Sequence, residues 1–301
     1  MRAVIDPRVE LLLALADDEL VIGHRHSHWT GVAPHIEEDL AFSSISQDEI
    51  GHAVVWYRLA ADLAGEQGIR DLATRAPAGG DPTDALGLGR EPDGYRNAIL
   101  VERPNGDWGY SLARHYLYDV AEDVRLTTLA ASSWQAAADA TGALRREERY
   151  HLLHARTWLD RLANGPLDAR THLADGLVAA LAEASGLFEP LTGEAELVAD
   201  GVLPDDHATQ QQRWLEAVTA DLEAVGMDHV LGGDPHHDEG EFLATASGEL
   251  VALHSAAPQE PGDSGLGEGG LGGRYGRHSP DFVDVWEEMT GTYRAYPGVR
   301  W

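Results

Sequence analysis

Two copies of the motif Glu-x-x-His give this chain residues that could hold metal ions. The first pairs Glu49 with His52, and the second pairs Glu148 with His151. Residues three apart on an α-helix lie on one face, so each motif points a carboxylate and an imidazole in the same direction. Both faces are otherwise apolar, and an inward carboxylate is costly unless it is paired or bound to a cation. Two such motifs on separate helices therefore predict a shared pair of metal ions.

A carboxylate site of this kind also needs one acidic residue from each of two further helices. Glu19 lies on the apolar stripe of the helix before the first motif and precedes Glu49 by 30 residues. Glu122 lies among apolar residues before the second motif and precedes Glu148 by 26 residues. Both separations suit antiparallel helices joined by a turn. The residues that compete with these two glutamates are Asp17 and Asp18 on the first helix and Asp119 and Asp123 on the third.

The predicted ligand set combines hard carboxylate oxygens with imidazole nitrogens, which suits a di-iron or manganese centre. Its members are Glu19, Glu49, His52, Glu122, Glu148 and His151. Surface charge is the alternative interpretation of the two single glutamates, because the chain is rich in acidic residues. No flavin or NAD site is predicted, since the Gly-rich run 265–273 neither follows a strand nor opens a helix, as a phosphate-binding loop would.

Long helical patterns position these residues. Apolar side chains recur at helical spacing through most of the chain, and Asp6-Pro7 is a typical helix start. We therefore predict an all-α, ferritin-like antiparallel four-helix bundle with additional C-terminal helices. The predicted helices span about 7–26, 35–64, 111–132, 135–163 with a break or kink near Gly142, 168–186, 206–226 and 279–295.

Composition divides the chain into three parts. Residues 1–231 carry the predicted helical bundle. Residues 232–275 are rich in Gly, Pro, Asp and Glu and are expected to form an acidic, flexible insertion. Within it, a weak alternation over 241–254 would suit a hairpin. Residues 276–301 supply a last helix and a tail that complete the same domain.

The chain is strongly acidic, with 22 basic and 51 acidic residues and a formal net charge of −29. Such a surface repels phosphate backbones and anionic lipids, which argues against partners made of nucleic acid or membrane. All the basic residues are arginine, which suggests adaptation to a salt-rich cytosol, with a coding bias as the alternative. The absence of cysteine excludes thiolate chemistry. Acidic residues early in the chain and the lack of a long apolar run predict a cytoplasmic protein.

Two smaller groups have both a structural and a functional interpretation. Arg145, Arg146, Arg149 and Arg156 form a local basic stripe, which indicates either pairing with neighbouring glutamates or contact with an anionic ligand or acidic partner surface. The alternating histidines 24, 26 and 28 fall at a predicted helix end, where a solvated or capping role is expected rather than a zinc site.

Three stretches resemble the PaaC family, the C subunits of ring-1,2-phenylacetyl-CoA epoxidase. They are ALADDELVIGHRHSHWTGVAPHIEEDLAFSSISQDEIGHA, YLYDVAEDVRLTTLAASS and REERYHLLHARTWLDRL. The ending GGRYGRHSPDFVDVWEEMTGTYRAYPGVRW is also similar to the C-terminal stretch of that family. The resemblance covers nearly the whole chain except residues 232–270.

The resemblance implies a ferritin-like component of a multicomponent monooxygenase that epoxidises the aromatic ring of phenylacetyl-CoA. In that complex the working di-iron site lies in the A subunit, with which the C subunit pairs as a scaffold, and a reductase subunit supplies electrons. Well-known C subunits have lost their metal ligands. This sequence departs from them, because it keeps both Glu-x-x-His motifs.

Three hypotheses follow for the function. The favoured one is an accessory subunit of the epoxidase that pairs with the catalytic A subunit. The alternative is that the chain is itself a di-iron oxygenase or oxidase that uses the retained ligands. The third is a ferritin-like metal store, which the predicted insertion and C-terminal extension make awkward.

Overall fold

The fold consists of α-helices and short 3₁₀ turns throughout the part of the chain that the structure, a computed structural model, describes: residues 5–75, 77, 80–233, 235, 268–296 and 299. No strand occurs in these ranges, and the all-α prediction is confirmed. These described ranges contain ten α-helices: α1 (Pro7–Ser27), α2 (Ile36–Leu72), α3 (Pro82–Leu88), α4 (Ile99–Glu102), α5 (Trp108–Leu129), α6 (Gln135–Ala163), α7 (Leu167–Leu181), α8 (Glu194–Ala199), α9 (His207–Ala224) and α10 (Pro280–Ala295). The 3₁₀ turns are Pro92–Gly94, Ala184–Phe188, Asp228–Gly232, Glu268–Gly270 and Gly273–Tyr275.

Local capping sets where the long helices begin. The Asp6 carboxylate accepts the backbone N–H of Arg8 at 2.9 Å, and Pro7 occupies the first turn of α1. In α5 the Asp107 carboxylate accepts the N–H of Tyr110 at 2.8 Å. These contacts satisfy amide groups that have no partner inside their own helix. The start of the first helix was correctly predicted from this signal.

Two helices differ from their predicted extents. The second was expected to end at 64, and Gly65 does leave helical geometry (φ 62°), but the helix resumes and continues to Leu72. The fourth was expected to break near Gly142, yet α6 runs through that residue. A single glycine costs a helix about 1 kcal/mol relative to alanine. That cost is too small to interrupt 29 residues that bury one face.

The helices α1 and α2 lie side by side and antiparallel. The Ser46 hydroxyl donates to the Gly23 carbonyl at 2.8 Å, and the Tyr57 hydroxyl donates to Asp17 at 2.5 Å. A side chain at Gly23 would place its Cβ 2.9 Å from Ile50 and 3.1 Å from the Cβ of Glu49. The glycine therefore permits close helix contact at the level of the first Glu-x-x-His motif.

The helices α5 and α6 form a second antiparallel pair, in which His115 lies 3.2 Å from His154 and Arg145 donates to Thr127 at 3.2 Å. The two pairs join along α2 and α6, since the Trp158 indole donates to Glu38 at 2.8 Å. They also join along α1 and α5, where Asp18 and Arg125 lie 3.1 Å apart. Neighbouring helices among these four therefore run antiparallel, which is consistent with the predicted bundle.

Residues 268–275 differ from the prediction that placed them in a flexible insertion. Arg274 is only 4% exposed, and its guanidinium donates to both oxygens of Asp18 at 2.9 and 2.7 Å. A Cβ at Gly273 would overlap the carbonyl oxygen of Asn97, so glycine here allows close packing rather than mobility. The possible hairpin at 241–254 lies outside the described residues.

Within the described ranges, every helix is too short or too polar to cross a bilayer.

Candidate metal centre

Three helices bring four predicted ligands together in the interior. They are Glu19 from α1, Glu49 and His52 from α2, and Glu148 from α6, and each is at most 4% exposed. One potential ligand atom from each lies within 4.8 Å of the others. This buried group of carboxylates and imidazole could hold a metal ion.

Another predicted ligand, His151, extends the group on its far side. Its Nδ1 lies 3.2 Å from Oε1 of Glu148 and 3.6 Å from Oε1 of Glu49. The Nδ1 of His52 lies 3.0 Å from the same oxygen of Glu148 and 3.9 Å from Oε2 of Glu19. Glu148 thus contacts both histidines, and Glu49 contacts His151 within the same group, so both carboxylates could be shared by two ions.

Surface carboxylates fix the orientation of both histidine rings. The Nε2 of His52 lies 2.7 Å from Oε2 of Glu147, and the Nε2 of His151 lies 3.3 Å from Oδ2 of Asp48. With the outer nitrogens held in this way, both Nδ1 atoms face the carboxylates of the interior. Metal-binding histidines in proteins are commonly oriented by this type of carboxylate contact.

The inward polar atoms have no hydrogen-bond partner in the protein. This is true of both side-chain oxygens of Glu19, Glu49 and Glu148, and of Nδ1 of His52 and His151. Buried polar atoms in native proteins are nearly always satisfied. A bound cation would satisfy these atoms together, so the residues present fit a metal centre.

Of the three acidic residues on α5 that could be ligands, two are buried in the interior. Asp123 is exposed and points away from the interior. Asp119 is buried, and neither of its oxygens has a hydrogen-bond partner. Glu122 is also buried, but its Oε1 accepts a hydrogen bond from Arg125 at 2.5 Å, which leaves only Oε2 without a partner. Arginine thus competes for the predicted ligand Glu122, whereas Asp119 is fully open.

On the first helix the structure separates Glu19 from its two competitors. Asp17 contacts the buried guanidinium of Arg90, with Nη1 and Oδ2 3.0 Å apart. Asp18 is paired with Arg274 and Arg125. Because arginines occupy both aspartates, Glu19 is the acidic residue of this turn that remains open to a cation.

The surroundings shift the protonation of the cluster strongly. Burial, with repulsion from neighbouring carboxylates, raises the pKa values of Glu19 and Glu49 well above their usual range. Burial alone would raise the pKa of Glu148 too, but its close ion-pair contacts with His151 and His52 lower it to about 2. Although burial opposes their charged forms, hydrogen bonds and attraction to the carboxylates raise the pKa of His52 to about 9 and of His151 to about 10.

Tyr118 adds a further polar group beside the cluster. Its hydroxyl is buried without a hydrogen-bond partner. Burial raises the pKa of Tyr118 well above its usual value, and the nearby charges of Glu19 and Glu122 raise it further. The hydroxyl therefore stays protonated and available as a hydrogen-bond donor. The sequence pattern gave no sign of a role for this hydroxyl, although Tyr118 lies one position before Asp119.

A row of polar side chains leads from Asp119 towards the surface and was also missed. Asp119 lies 3.3 Å from Nδ1 of His115, and Nε2 of His115 lies 3.2 Å from Nδ1 of His154. His154 in turn contacts Glu38 at 2.9 Å. Burial lowers the pKa of His115 to about 3, so this ring is neutral. The helical spacings between 115 and 119 and between 151 and 154 were the available signal.

The solvated or capping role expected for the alternating histidines is wrong for His26. Its ring is fully buried, and its two nitrogens have no hydrogen-bond partner. The ring packs edge-on against Phe42 and His115, with centroids 5.2 and 5.1 Å away. Burial lowers the pKa of His26 well below its usual value, so it behaves as an aromatic core residue.

Comparison with known proteins decides the family. The family model for phenylacetic acid catabolic proteins matches residues 2–246. The chain belongs to this family. The resemblance found in the sequence is thereby confirmed over that range, and the ferritin-like fold agrees with the helical architecture. The similarity of the stretch after 271 to the family stays a prediction, because the match ends before it.

Among curated members of the phenylacetic acid catabolic family, the chain is similar to the C subunit of 1,2-phenylacetyl-CoA epoxidase from Escherichia coli (strain K12). The two are 37% identical over 153 residues, which make up 51% of this chain and 56% of the relative. The alignment thus spans little more than half of that relative. The cluster, formed by Glu19 and the two Glu-x-x-His motifs, lies wholly within the range of the family match.

Proposed function

We propose that this chain is an accessory subunit of a multicomponent phenylacetyl-CoA 1,2-epoxidase, in which it pairs with the di-iron catalytic A subunit. The observation that carries the proposal is its similarity to the C subunit of the Escherichia coli enzyme. In such a complex phenylacetyl-CoA is the substrate of the whole assembly, and a separate reductase supplies the electrons. This chain would then act in aerobic phenylacetate catabolism without carrying out the chemistry itself.

We further propose that the chain retains a metal centre of iron or manganese. Glu19 and His52 would hold one ion and His151 the other, with Glu49 and Glu148 between them. Glu122 or Asp119 would complete the second position. The buried atoms without hydrogen-bond partners support this assignment. When bound, a pair of such ions supplies Lewis-acid and redox chemistry.

The chain's own residues would prepare that centre in two ways. Glu147 and Asp48 hold the outer nitrogens of the histidines, which orients the rings before a cation binds. Burial of the ligands excludes water, which strengthens electrostatic interactions inside the site. In the accessory role, the centre cross-links α1, α2 and α6 and thereby stabilises the fold.

The burial of the cluster favours the accessory role over the alternative of an independent oxygenase. The four converging ligands are 0–4% exposed, so an aromatic ring at the protein surface would not touch them. Small-molecule sites are usually concave pockets of about 300–1,000 Å³ that are open to the ligand. The cavity bordered by Arg125 and Arg274 has a volume of about 10 Å³, and no member of the cluster lines it.

Reconstitution with the other subunits tests the proposed function. The A subunit from the same source, with the reductase, is assayed for epoxidation of phenylacetyl-CoA with and without this chain. We expect a stable complex with the A subunit and activity that depends on adding this chain. An A subunit that works fully alone and forms no complex with this chain would refute the accessory role.

Metal analysis separates the accessory role from the alternative. The chain is purified with and without the co-expressed A subunit, and its iron and manganese are quantified. We expect up to two ions per chain in the wild type and a large loss in Glu49→Gln. Turnover of phenylacetyl-CoA by the metal-loaded chain and reductase, without any A subunit, would instead support an independent oxygenase.

A further inference from the structure

The solvent side of α2 carries a stripe without any acidic residue. The stripe follows helical spacing of three or four residues over 36–58, and each member is exposed. Its members are Ile36, Leu40, Ser44, Gln47, Gly51, Val54 and Arg58. Spacing of this kind places all seven residues on one face of the helix.

The solvent side of α6 carries a second stripe of the same character. It spans 146–157, and its members are again exposed. They are Arg146, Arg149, Tyr150, Leu153 and Thr157. Neither Arg146 nor Arg149 forms an ion pair with a described residue, whereas Arg145 contacts Thr127 and Arg156 contacts Asp221.

The two stripes flank one seam between neighbouring helices. The seam is marked by Asp48, which contacts His151, and by Glu147, which contacts His52. Asp48 follows a member of the α2 stripe, and Tyr150 of the α6 stripe precedes His151 in the chain. The two stripes therefore form one surface, which we call the α2–α6 face.

Large apolar side chains are concentrated on the α2–α6 face. Ile36 is 69% exposed, Leu40 65%, Tyr150 72% and Leu153 61%. With Val54, five of the eleven large apolar side chains that are exposed among the described residues lie on this face. Contiguous exposed apolar surface of this kind usually marks an interaction site.

The charge of the α2–α6 face is opposite to that of the chain. Acidic residues make up 51 of the 301 residues, yet the twelve members of the two stripes include three arginines and no acidic residue. A partner that presents apolar side chains with carboxylates around them would complement this surface. Asp48 and Glu147 lie at the seam between the stripes, but each already contacts a histidine, and three arginines against these two carboxylates leave the face slightly basic. The basic stripe predicted from the sequence thus lies partly on this surface.

We propose that the α2–α6 face docks a second, different helical subunit through apolar side chains and carboxylates on that partner. This inference rests on the proposed function, because it names the surface through which the accessory subunit joins its complex. At about 1.5 Å per residue and with neighbouring helices about 10 Å apart, the face measures about 33 by 20 Å. That footprint approaches the roughly 800 Å² per partner of a standard protein interface.

A second copy of this chain fits the face less well than a different subunit. A symmetric dimer brings the same patch against itself, so the arginines of each copy would meet only the two seam carboxylates, which already contact His52 and His151, and two chains of net charge −29 would repel each other. An anionic membrane would meet the apolar and basic side chains, but it would also meet the field of a chain with net charge −29.

Docking on this face would also cover the outer support of the cluster. Asp48 and Glu147 lie at the seam, with side chains 40% and 56% exposed, and hold the two histidines from outside. A partner seated there would exclude water from both contacts.

Charge and apolar substitutions on the full-length chain test the proposal. The variants are Leu40→Glu with Leu153→Glu, and Arg146→Glu with Arg149→Glu, and each is titrated against the purified A subunit. A matched pair of valines provides the control, since Val54 on the face is 37% exposed and Val283 on α10 is 44% exposed. We expect at least a tenfold loss of affinity in both double variants and in Val54→Glu, and no change in Val283→Glu.

Folding, metal content and self-association are measured on the same samples. The proposal requires wild-type circular dichroism and metal content in the variants that lose the partner. Undiminished binding of the A subunit by the face variants would overturn the docking site while leaving the accessory role intact. No binding by the wild type would overturn both. A wild-type homodimer, or adhesion to phosphatidylserine vesicles, that the face variants abolish would assign the surface to that other occupant and overturn the proposal.

Discussion

Three buried acidic residues follow one another in one turn of α1, but the surroundings of the first two differ from those of the third. Asp17 and Asp18 are enclosed by guanidinium groups from Arg90 and Arg274, while Glu19, the next residue, faces other carboxylates. Burying a charge without a partner is costly, so the first two are compensated within the protein. Glu19 lacks such a partner, and the cluster to which it belongs is arranged for a cation from outside the chain.

Burial of acidic side chains alone therefore does not identify a metal site. The informative property is the absence of an arginine or hydrogen-bond donor around them. Glu122 is intermediate, since one oxygen accepts from Arg125 and the other has no partner. Four predictions test this contrast, beginning with the largest expected effect.

Removing one partner of a buried ion pair should have the largest effect. In Asp18→Asn the guanidinium of Arg274 loses its carboxylate while it stays buried. We expect the free energy of unfolding to fall by about 3–5 kcal/mol, measured by urea denaturation. Asp123→Asn, at an exposed position of α5, should stay within about 0.5 kcal/mol of wild type. Equal stability of the two variants would contradict the compensated role of Asp18.

Metal removal should affect only a chain with an intact cluster. With the cation at about 1,000 times its dissociation constant, binding stabilises the folded state by about 4 kcal/mol. We expect a chelator to lower the melting temperature of the wild type and to leave that of Glu49→Gln nearly unchanged. Melting temperatures that respond equally to the chelator in both proteins would show that the cation binds elsewhere.

The outer carboxylates should have a smaller effect on metal affinity. Losing a group that orients a metal ligand typically reduces affinity by about 10–100-fold. We expect Glu147→Ala to lie within this range and Asp48→Ala to have less effect, because its contact with His151 is longer, at 3.3 Å against 2.7 Å. Competition with a metal-sensitive dye measures both. Glu37→Ala, at an exposed position of α2, is the control, and an equal loss there would remove the support for an orienting role.

The smallest expected change in the free energy of unfolding has the opposite sign to that of Asp18→Asn. Glu19→Gln replaces a buried carboxylate by a neutral group of similar shape, which costs less to desolvate. In the presence of a chelator, we expect the variant to be as stable as the wild type or more stable by about 1 kcal/mol. The comparison uses the same urea denaturation as Asp18→Asn. A marked loss of stability in Glu19→Gln would mean that Glu19 has a structural partner.

Residue type and spacing were sufficient for the long helices and for the convergence of Glu19, Glu49, His52 and Glu148. They predicted the positions because periodicity and the Glu-x-x-His motif are local properties of a helix. The sequence could not separate Glu19 from Asp17 and Asp18, since all three lie in one buried turn. Their distinction depends on arginines 73 and 256 residues away.

The ordered turns at 268–275 could not be predicted for a related reason. Glycine-rich sequence indicates mobility when no neighbour is known, yet at Gly273 it permits a close backbone approach to Asn97. Similarly, the choice between Asp119 and Glu122 depends on Arg125. The spacing of three residues allows Glu122 and Arg125 to pair, but the sequence does not tell whether Arg125 points inward or outward.

The contact between Asp18 and Arg274 has a consequence for how the chain is made. The two residues are 256 positions apart, so at about 5–20 residues per second the ribosome needs roughly 10–50 s between them. During that interval Asp18 has only Arg125 available as an ion-pair partner, because Arg274 has not yet been made. We expect the hairpin of α1 and α2 to stay loosely docked in the nascent chain, and to close firmly only when Arg274 is delivered.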